Sequence, residues 1–395
     1  MQTGARGQTC TIARHEKPYN LNIVAVVLIG AFLAYTNGAN DVSKGIATLA
    51  GSGVSSYRRA ILWGALWTTC GGVAAFALSR ALVTTFGKGL FSAGVTPTLY
   101  AALATLIGAG LWVGLATRWA LPVSTTHAIV GSIAGVAVIA YGPGGMNWTV
   151  LTGKVALPLL LSPVVSLVIS AGILRIWNFL SPSGADCLCA EIVEQRPLAA
   201  TASGELVVSS VIPALTVFTC GEDVPSTPST RTLSVKFDHL HWITSAGASF
   251  SRGLNDAPKM VAIGLAATTI SGLVLPSSFL AYLVIAAGIL AGSLQGGRRV
   301  TTVLAEKITP MNHREGFAAN LVTSLLVGPG AFLGLPMSTT HVSTGAIIGI
   351  GIHEGGTVDW KRVKDLVLAW IVTLPAAALL GVLAYGLLCG VFRTQ

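Results

Sequence analysis

Long apolar runs recur along almost the whole chain, and they restrict it to a protein that crosses a membrane several times. A bilayer hydrocarbon core of about 30 Å needs about 20 apolar residues per helix. Ten stretches approach or exceed this length, the first of them continuing into a glycine-rich region. They are residues 21–35, 60–79, 100–117, 122–141, 155–180, 243–268, 272–293, 317–335, 337–352 and 366–391. We therefore predict an all-α membrane protein with about 10–12 transmembrane helices.

Charged residues are too scarce for a soluble protein of this length. They make up 10% of the 395 residues, against roughly 25% in ordinary globular proteins. The net charge is +9, but the basic residues lie mostly in short segments between apolar stretches, where they signal topology rather than nucleic-acid binding. The lipid bilayer is therefore an expected partner, and nucleic acid is not.

Two polar motifs occur twice, which indicates that the chain consists of two related halves. Gly-Ala-Asn-Asp at 38–41 returns as Gly-Leu-Asn-Asp at 253–256, at an offset of 215 residues. Leu-Pro-Val-Ser-Thr-Thr-His at 121–127 returns as Leu-Pro-Met-Ser-Thr-Thr-His at 335–341, at an offset of 214. One such match can arise by chance, but two in the same order at nearly the same offset indicate a duplication.

The distribution of basic residues predicts the orientation of the two halves. With an odd number of spans in each half and the N-terminus outside, fourteen Lys and Arg residues fall in inside loops and seven in outside segments. Three more, Lys44, Arg252 and Lys259, fall at or near membrane depth. This bias places both termini outside and the segment between the halves in the cytoplasm. The odd span count inverts the second half relative to the first, which is common in secondary transporters.

The chain is accordingly divided into four parts. An N-terminal tail (1–20) precedes the first membrane repeat (21–180), and a polar linker (181–240) separates it from the second (241–395). Within the linker, short β-like runs at 205–208 and 232–237 predict a small hairpin module.

Asp41 and Asp256 lie inside or at the end of apolar stretches, where a carboxylate is costly and is a functional candidate by default. Each follows a run containing Gly and Asn that is poor helix sequence. Such runs suit a helix that breaks at the midplane, where freed carbonyls and an Asp hold a cation such as Na⁺, or where the Asp carries H⁺. The alternative is that each Asp only forms an i,i+3 pair with Lys44 or Lys259.

The Pro-x-Ser-Thr-Thr-His runs at 122–127 and 336–341 predict helix N-termini, because Pro is favoured at the first helical position. The exposed backbone N–H groups and the positive dipole end of such a terminus bind anions. Two facing copies would offer one oxyanion two sets of donors. The alternative is that the hydroxyls only cap their helices or bond to the backbone within a bundle.

Four further residues of these motifs carry charge or can gain it. His127 and His341 end the Ser-Thr-Thr-His runs and are candidates for donating to the anion, relaying a proton or fixing a helix. Lys44 and Lys259 either attract the anion or neutralise the carboxylates.

Other function classes find less support in the sequence. No Gly-x-x-x-x-Gly-Lys-[Ser/Thr] run occurs, so an ATP-driven pump is not indicated. An intramembrane metal-dependent hydrolase would use Asp41, Asp256, His127 and His341 as ligands, but no metal-ligand spacing such as His-Glu-x-x-His occurs. A membrane receptor that signals through the linker would not need the paired intramembrane polar motifs.

At these motifs the sequence resembles the inorganic phosphate transporter (PiT) family of anion permeases. The resemblance rests on the duplicated Gly-x-Asn-Asp and Pro-x-Ser-Thr-Thr-His runs and on Gly-Phe-Ala-Ala-Asn at 316–320, and it covers both membrane halves but not the linker. It implies inverted repeats, termini outside, a cytoplasmic central loop, a homodimer, and symport of phosphate with Na⁺ or H⁺. The first motif of the family most often continues Val-Ala-Asn-Ala, whereas here it continues Val-Ser-Lys-Gly at 42–45. The second continues Ala-Pro-Lys at 257–259.

The resemblance also implies roles for individual residues. The implied substrate-binding residues are Ser124, Thr125, Thr126, Ser338, Thr339, Thr340, Asn40 and Asn255. The implied cation-coupling residues are Asp41, Asp256, Asn40 and Asn255, with Asp41 and Asp256 as ligands of Na⁺ if sodium is the coupling ion. From the residues themselves, and not from the resemblance, Lys44, Lys259, His127 and His341 are candidates for tuning the charge of the site. The predicted function is import of inorganic phosphate by cation symport through alternating access at a plasma or inner cell membrane, with no cofactor besides the coupling ion. Sulfate or another tetrahedral oxyanion is the alternative substrate.

Overall fold

The computed structural model of the chain describes residues 19–180, 187–195, 198–200, 206–208, 212–219, 232–270, 277–353 and 358–393. The predicted N-terminal tail, apart from its last two residues, lies outside these ranges. Almost all of the described residues are helical, and the named strands are confined to the linker. The prediction of an all-α architecture is confirmed for both membrane halves.

The helices of the two halves follow one another in matching order. The first half contains α1 (Tyr19–Asp41), α2 (Ser43–Gly51), α3 (Tyr57–Leu78), α4 (Arg80–Thr84), α5 (Leu99–Arg118), α6 (Thr125–Tyr141), α7 (Trp148–Val150) and α8 (Leu157–Leu180), with π-helical segments at Thr85–Gly89 and Leu151–Ala156. The second contains α9 (Phe237–Ile270), α10 (Ser278–Glu306), α11 (His313–Phe332), α12 (Thr339–His353) and α13 (Trp360–Arg393). The offset of 214 residues carries the start of α5 onto that of α11 and the start of α6 onto that of α12.

Six described helical segments are long and apolar enough to cross a membrane. They are Asn22–Gly51, Tyr57–Leu78, Leu99–Arg118, Trp148–Phe179, Ser278–Glu306 and Trp360–Gly390. The other predicted spans correspond to α6, α9, α11 and α12, three of which carry the repeated motifs. Because α6 has 17 residues and α12 has 15, they measure about 25 and 22 Å. Both are shorter than a bilayer core of about 30 Å.

The breaks expected at the two Asp motifs differ between the halves. In the first half α1 ends at Asp41 and α2 begins at Ser43, although Val42 between them keeps a helical φ of −54° and donates to the Gly38 carbonyl at 3.2 Å. In the second half α9 runs without interruption through Asn255 and Asp256, so the break predicted there is wrong. Pro258 removes only one backbone donor from α9, and the carbonyl that contacts the Asn255 and Lys259 side chains is that of Met337, in the non-helical segment before α12.

Helices of one half pack against helices of the other in reciprocal pairs. α1 contacts α10 while α9 contacts α3, and α6 contacts α13 while α12 contacts α8. Matched glycines allow these close approaches: a Cβ on Gly131 of α6 would collide with the Leu374 carbonyl, and one on Gly345 of α12 with the Pro163 carbonyl. The halves are therefore interlocked rather than laid side by side.

The two β-like runs of the linker are both strands, but they belong to different sheets. β1 (Cys187–Gln195) lies between β4 (Ile212–Thr219) and β5 (Thr232–Lys236), antiparallel to both. β2 (Leu198–Ala200) pairs with β3 (Leu206–Val208). The predicted runs at 205–208 and 232–237 thus do not pair with each other.

Substitution of Gly345 by alanine is expected to destabilise the protein by about 1–3 kcal/mol, because the new methyl group would overlap a rigid backbone carbonyl. The matched control is Gly386→Ala on α13, where a Cβ meets nothing within 4 Å and alanine favours the helix by about 0.5–1 kcal/mol. Thermal unfolding of the purified variants in detergent measures both. Equal melting temperatures for the two variants would contradict the close packing of α12 on α8.

Candidate functional site

The site begins with two matched turns. The turn after α5 contains Ala120 with φ 56°, and the turn after α11 contains Gly334 with φ 71°. In both turns the next amide donates back into the last helical turn, at 2.8 and 2.9 Å, which is the 6→1 bond of a Schellman motif. Each turn stops one helix and directs the chain through an extended proline segment into the next helix. The N-termini of α6 and α12 are thereby placed inside the protein.

These two N-termini meet through their serines. The Ser124 hydroxyl accepts the backbone N–H of His127, and the Ser338 hydroxyl accepts that of His341, both at 3.2 Å. The Ser338 hydroxyl also donates to the Ser124 hydroxyl at 2.9 Å. Both serines therefore cap their helices, as the structural alternative held, and they also join the two repeats at the centre of the protein.

The threonines of each run reach across to the other half. Thr126 donates to the Met337 carbonyl at 3.2 Å, and the matched Thr340 donates to the Val123 carbonyl at 2.7 Å. Val123 and Met337 are also matched positions. The first repeat therefore makes the same contact to the second as the second makes to the first. Reciprocal contacts of this kind are the mark of a two-fold relation between the halves.

Asn40 and Asn255 hold the turn of their own half. The Asn40 amide donates to the Leu121 carbonyl at 2.9 Å and accepts from the Val123 N–H at 3.2 Å. The Asn255 amide donates to the Met337 carbonyl at 2.9 Å and accepts from the Met337 N–H at 3.2 Å. Each Gly-x-Asn-Asp motif is therefore fixed to the Pro-x-Ser-Thr-Thr-His motif of the same repeat.

The two carboxylates share one amide donor, although they lie 215 residues apart. Asn37 donates to Asp41 at 3.0 Å and to Asp256 at 3.2 Å. Asp41 also accepts from Thr125 at 3.0 Å, and Asp256 from Asn255 at 2.9 Å. The structure thus brings all four motifs into one cluster.

Both carboxylates are also paired with the lysine three residues on. The Lys44 Nζ lies 2.6 Å from Asp41, and the Lys259 Nζ lies 3.5 Å from Asp256. Lys259 donates in addition to Thr126 at 2.6 Å. The ion pairs considered as an alternative are therefore present, and they form part of the same cluster as the hydroxyls.

The predicted histidines lie beside each other at the start of α6 and α12. The ring centroids of His127 and His341 are 4.6 Å apart. His341 Nδ1 bonds to the Leu159 carbonyl at 2.9 Å, and its ring lies 4.1 Å from that of Trp370. His341 thus ties α12 to α8 and α13.

Two residues of the cluster, Asn37 and Arg252, were missed from the sequence. Arg252 is 1% exposed, and none of its three guanidinium nitrogens has a hydrogen-bond partner among the described residues. Its charge interacts with those of Asp256 and Asp41. The repeat offset could have identified both residues. An offset of 215 carries Asn37, four residues before Asp41, onto Arg252, four residues before Asp256.

We call this assembly the central polar cluster. It consists of Asn37, Asn40, Asp41, Lys44, Ser124, Thr125, Thr126, Arg252, Asn255, Asp256, Lys259, Ser338, Thr339 and Thr340. None of these residues is more than 4% exposed, so the cluster is closed to solvent on all sides. Its two carboxylates, two ammonium groups and one guanidinium give it a formal charge of +1, which is complementary to an anion.

Comparisons with known proteins point to one family. The model of the phosphate transporter family matches residues 37–381. The chain belongs to the phosphate transporter family. It is 28% identical to the chloroplastic inorganic phosphate transporter 2-1 of Arabidopsis thaliana, over 91% of this chain and 71% of that protein. It is also 28% identical to a probable low-affinity inorganic phosphate transporter of Rhizobium meliloti, over 92% of this chain and 95% of that one.

The fold agrees with that of a solved transporter. The structure of the sodium-dependent phosphate transporter superposes with a TM-score of 0.74 at 24% identity, over 93% of this chain and 99% of that chain. The family match covers both sets of repeated motifs, so the resemblance drawn from those motifs is confirmed. The chain is therefore a multi-pass membrane protein of a family of phosphate transporters.

Proposed function

We propose that this protein imports inorganic phosphate by cation-coupled symport through alternating access, with the central polar cluster as its substrate site. The family and the names of the relatives support phosphate as the substrate. We assign the anion to the N-termini of α6 and α12 and to the guanidinium of Arg252. These donors are drawn from both halves, so one anion bridges the repeats.

Unmet hydrogen-bonding capacity in the cluster carries this proposal. Buried polar groups in proteins are almost always paired, yet the nitrogens of Arg252 and the Oδ1 of Asn37 are buried without partners among the described residues. The guanidinium offers donors in a fork that matches an oxyanion. The orientation of the Asn37 amide is set by the two carboxylates to which its nitrogen donates, so its oxygen remains an acceptor.

An acceptor beside the donors favours phosphate over sulfate. Phosphate at neutral pH carries one or two O–H groups, whereas sulfate carries none. Asn37 Oδ1 and the carboxylates of Asp41 and Asp256 can accept a substrate O–H, which sulfate cannot supply. A mismatch of this kind costs about 1–3 kcal/mol, or roughly ten- to hundred-fold in affinity.

The closed cluster and the reciprocal contacts support alternating access. Since the cluster is buried on all sides, an anion reaches it only after the contacts between the repeats, such as that between Ser124 and Ser338, open on one side. The two-fold relation of these contacts provides the same means of opening on the other side. We propose that the axis lies in the membrane plane, so that the repeats are inverted.

The carboxylates are proposed to couple the movement of phosphate to that of a cation. Asp41 and Asp256 lie in the same cluster as the anion donors, and they touch the same Asn37 amide. A cation that binds or leaves at either carboxylate therefore changes the charge next to the anion. This arrangement makes binding of the two species interdependent.

Uptake and competition by purified protein in liposomes test the proposed substrate. Radiolabelled phosphate is expected to accumulate inside, and unlabelled phosphate is expected to compete with it about ten- to hundred-fold better than sulfate does. Empty liposomes processed in parallel provide the background. If sulfate competes as well as phosphate does, the protein is an oxyanion permease without phosphate preference; if no labelled phosphate enters, phosphate transport itself is refuted.

The remaining proposals concern placement and assembly. The charge bias of the loops supports outside termini, a cytoplasmic linker and insertion in a cell membrane, and the family resemblance supports a homodimer. Labelling of single cysteines in intact cells with a membrane-impermeant reagent should modify the N-terminus and spare the linker. Labelling of the linker would overturn this orientation, and a monomeric mass in detergent and in lipid nanodiscs would overturn the dimer.

A further inference from the structure

The first Asp motif already holds a positive charge of the protein's own. Lys44 Nζ lies 2.6 Å from the Asp41 carboxylate, 2.7 Å from the Asn40 Oδ1 and 2.9 Å from the Asn40 carbonyl. An ammonium group has three N–H donors and no acceptor, so three oxygens satisfy it completely. The Asn40 carbonyl also accepts from the Ser43 hydroxyl at 2.8 Å.

These three oxygens are of the kinds that bind a hard cation. A carboxylate, a side-chain amide oxygen and a backbone carbonyl are typical ligands of such ions. The sequence assigned Asp41 and Asn40 to a sodium site, but their oxygens are engaged by Lys44. The residues of the first motif therefore do not fit a sodium ion as long as Lys44 stays in place.

The second motif holds an ammonium group in a matching position. Lys259 Nζ contacts Asp256 at 3.5 Å, Thr126 at 2.6 Å and the Met337 carbonyl at 3.2 Å. Its distance to the carboxylate is longer than that of Lys44, but it also contacts three oxygens. Each predicted cation site is thus served by a lysine of its own motif.

The charge balance of the cluster also argues against bound sodium ions. Of the charged side chains described as buried, all except Glu315 belong to this cluster: Asp41, Lys44, Arg252, Asp256 and Lys259. Three positive groups already outnumber two carboxylates, and a singly charged anion brings the formal charge to zero. Two sodium ions would leave the same complex at +2, which is costly away from water.

We propose that the ammonium groups of Lys44 and Lys259 take the place of coupling sodium ions, so that phosphate binds to this protein and crosses the membrane without Na⁺. This inference rests on the proposed phosphate transport and decides between its two candidate coupling ions in favour of H⁺. The positive charge that sodium would deliver with each substrate is here attached to α2 and α9.

The native protein provides the first test. Binding of radiolabelled phosphate to purified protein, and its uptake into liposomes, are measured in sodium and in potassium salts at equal ionic strength, pH and membrane potential. We expect equal values in the two salts, and no saturable binding of radiolabelled Na⁺. Coupled ligands typically change each other's affinity by about 5- to 150-fold, so stimulation by Na⁺ in that range would overturn the proposal.

A substitution provides the second test. Lys44→Asn introduces the residue that the commonest motif of the family has at this position, and it leaves the three oxygens without their ammonium partner. This variant is expected to gain saturable binding of radiolabelled Na⁺, and its phosphate binding is expected to become stimulated by Na⁺ about 5- to 150-fold. Lys154→Asn, at an exposed position of the first half, is the matched control and should behave like the native protein.

The two tests separate this inference from the proposed function. If phosphate binding to the native protein requires Na⁺, the proposal that Lys44 and Lys259 replace sodium is wrong, whereas the proposed phosphate transport stands. If phosphate binds in neither salt, the proposed phosphate transport is refuted. Na⁺ binding gained by Lys44→Asn would still support the replacement of sodium by lysine. If Lys44→Asn does not fold, Lys44→Gln replaces it; a folded variant without Na⁺ binding counts against the proposal.

Discussion

Replacement of Asp41 by asparagine is expected to reduce phosphate uptake to background, at least about 100-fold below the native rate. The carboxylate accepts from Lys44, Asn37 and Thr125, and an amide supplies one oxygen in place of two and no charge. Removal of one partner of a buried ion pair costs about 3–5 kcal/mol, because the other charge remains buried alone. Uptake of radiolabelled phosphate into liposomes, together with thermal unfolding in detergent, measures the two effects separately.

The double variant Asp41→Asn/Lys44→Asn controls for the loss of stability. It removes both charges, so its melting temperature should recover most of what the single variant lost. Its uptake should remain at background, because the carboxylate proposed to couple phosphate to a cation is still missing. Asp256→Asn should also abolish uptake. Native uptake by the double variant would show that the Asp41 carboxylate serves only to balance Lys44.

Replacement of Arg252 by methionine is expected to have effects of opposite sign on binding and on stability. Hydrogen bonds to a charged group contribute about 1.5–3 kcal/mol, so the affinity for phosphate should fall about ten- to hundred-fold. Without phosphate, the same substitution should raise the melting temperature, because a buried guanidinium that has no hydrogen-bond partner among the described residues is replaced by a flexible apolar side chain of similar length. Equilibrium binding of labelled phosphate and thermal unfolding at zero phosphate measure these effects.

Arg299→Met is the control, since Arg299 is exposed on α10, and it should leave phosphate affinity unchanged. A structural role for Arg252 makes the contrary prediction: the variant would be less stable without phosphate, and any loss of binding would follow from that. A gain in stability together with unaltered phosphate affinity would also refute an anion-binding role. Only the combination of weaker binding and higher stability supports the proposal.

Much of the fold follows from the sequence because the relevant signals are local or repeated. The length of apolar stretches predicts membrane helices, and two motif matches at nearly equal offsets predict the duplication. The uninterrupted course of α9 could not be predicted in this way. Asn255 and Asp256 are poor helix formers, but their side chains are satisfied by Asn37, Lys259 and the Met337 backbone. Such tertiary partners override local propensity.

The packing of the two halves against each other could not be predicted from the sequence either. The offset predicts which residues are equivalent but not which helix packs against which. The glycines of the motifs have their explanation only in the structure: Gly38 lies against the Ile289 carbonyl and Gly253 against the Thr68 carbonyl. Both positions tolerate no side chain, because a neighbouring helix backbone occupies that space.

The membership of the cluster was predicted better than the bonds within it. Every predicted motif residue lies at the centre of the structure, since the chemistry of Asp, Ser and Thr at membrane depth singles them out. Which of them are engaged with one another could not be inferred, because a hydrogen bond such as that between Ser124 and Ser338 joins residues 214 positions apart. Asn37 and Arg252 were overlooked because they differ from each other and so escape a search for identical repeats.

That difference between positions 37 and 252 has a further consequence. On a perfect two-fold axis the two halves would present identical groups to a bound anion, and neither half would hold it more strongly. An asparagine on one side and an arginine on the other remove this equivalence, since only the guanidinium carries a positive charge. The duplicated scaffold is thus symmetric in shape but unequal in charge. A bound anion therefore has a preferred orientation, which is set by Arg252.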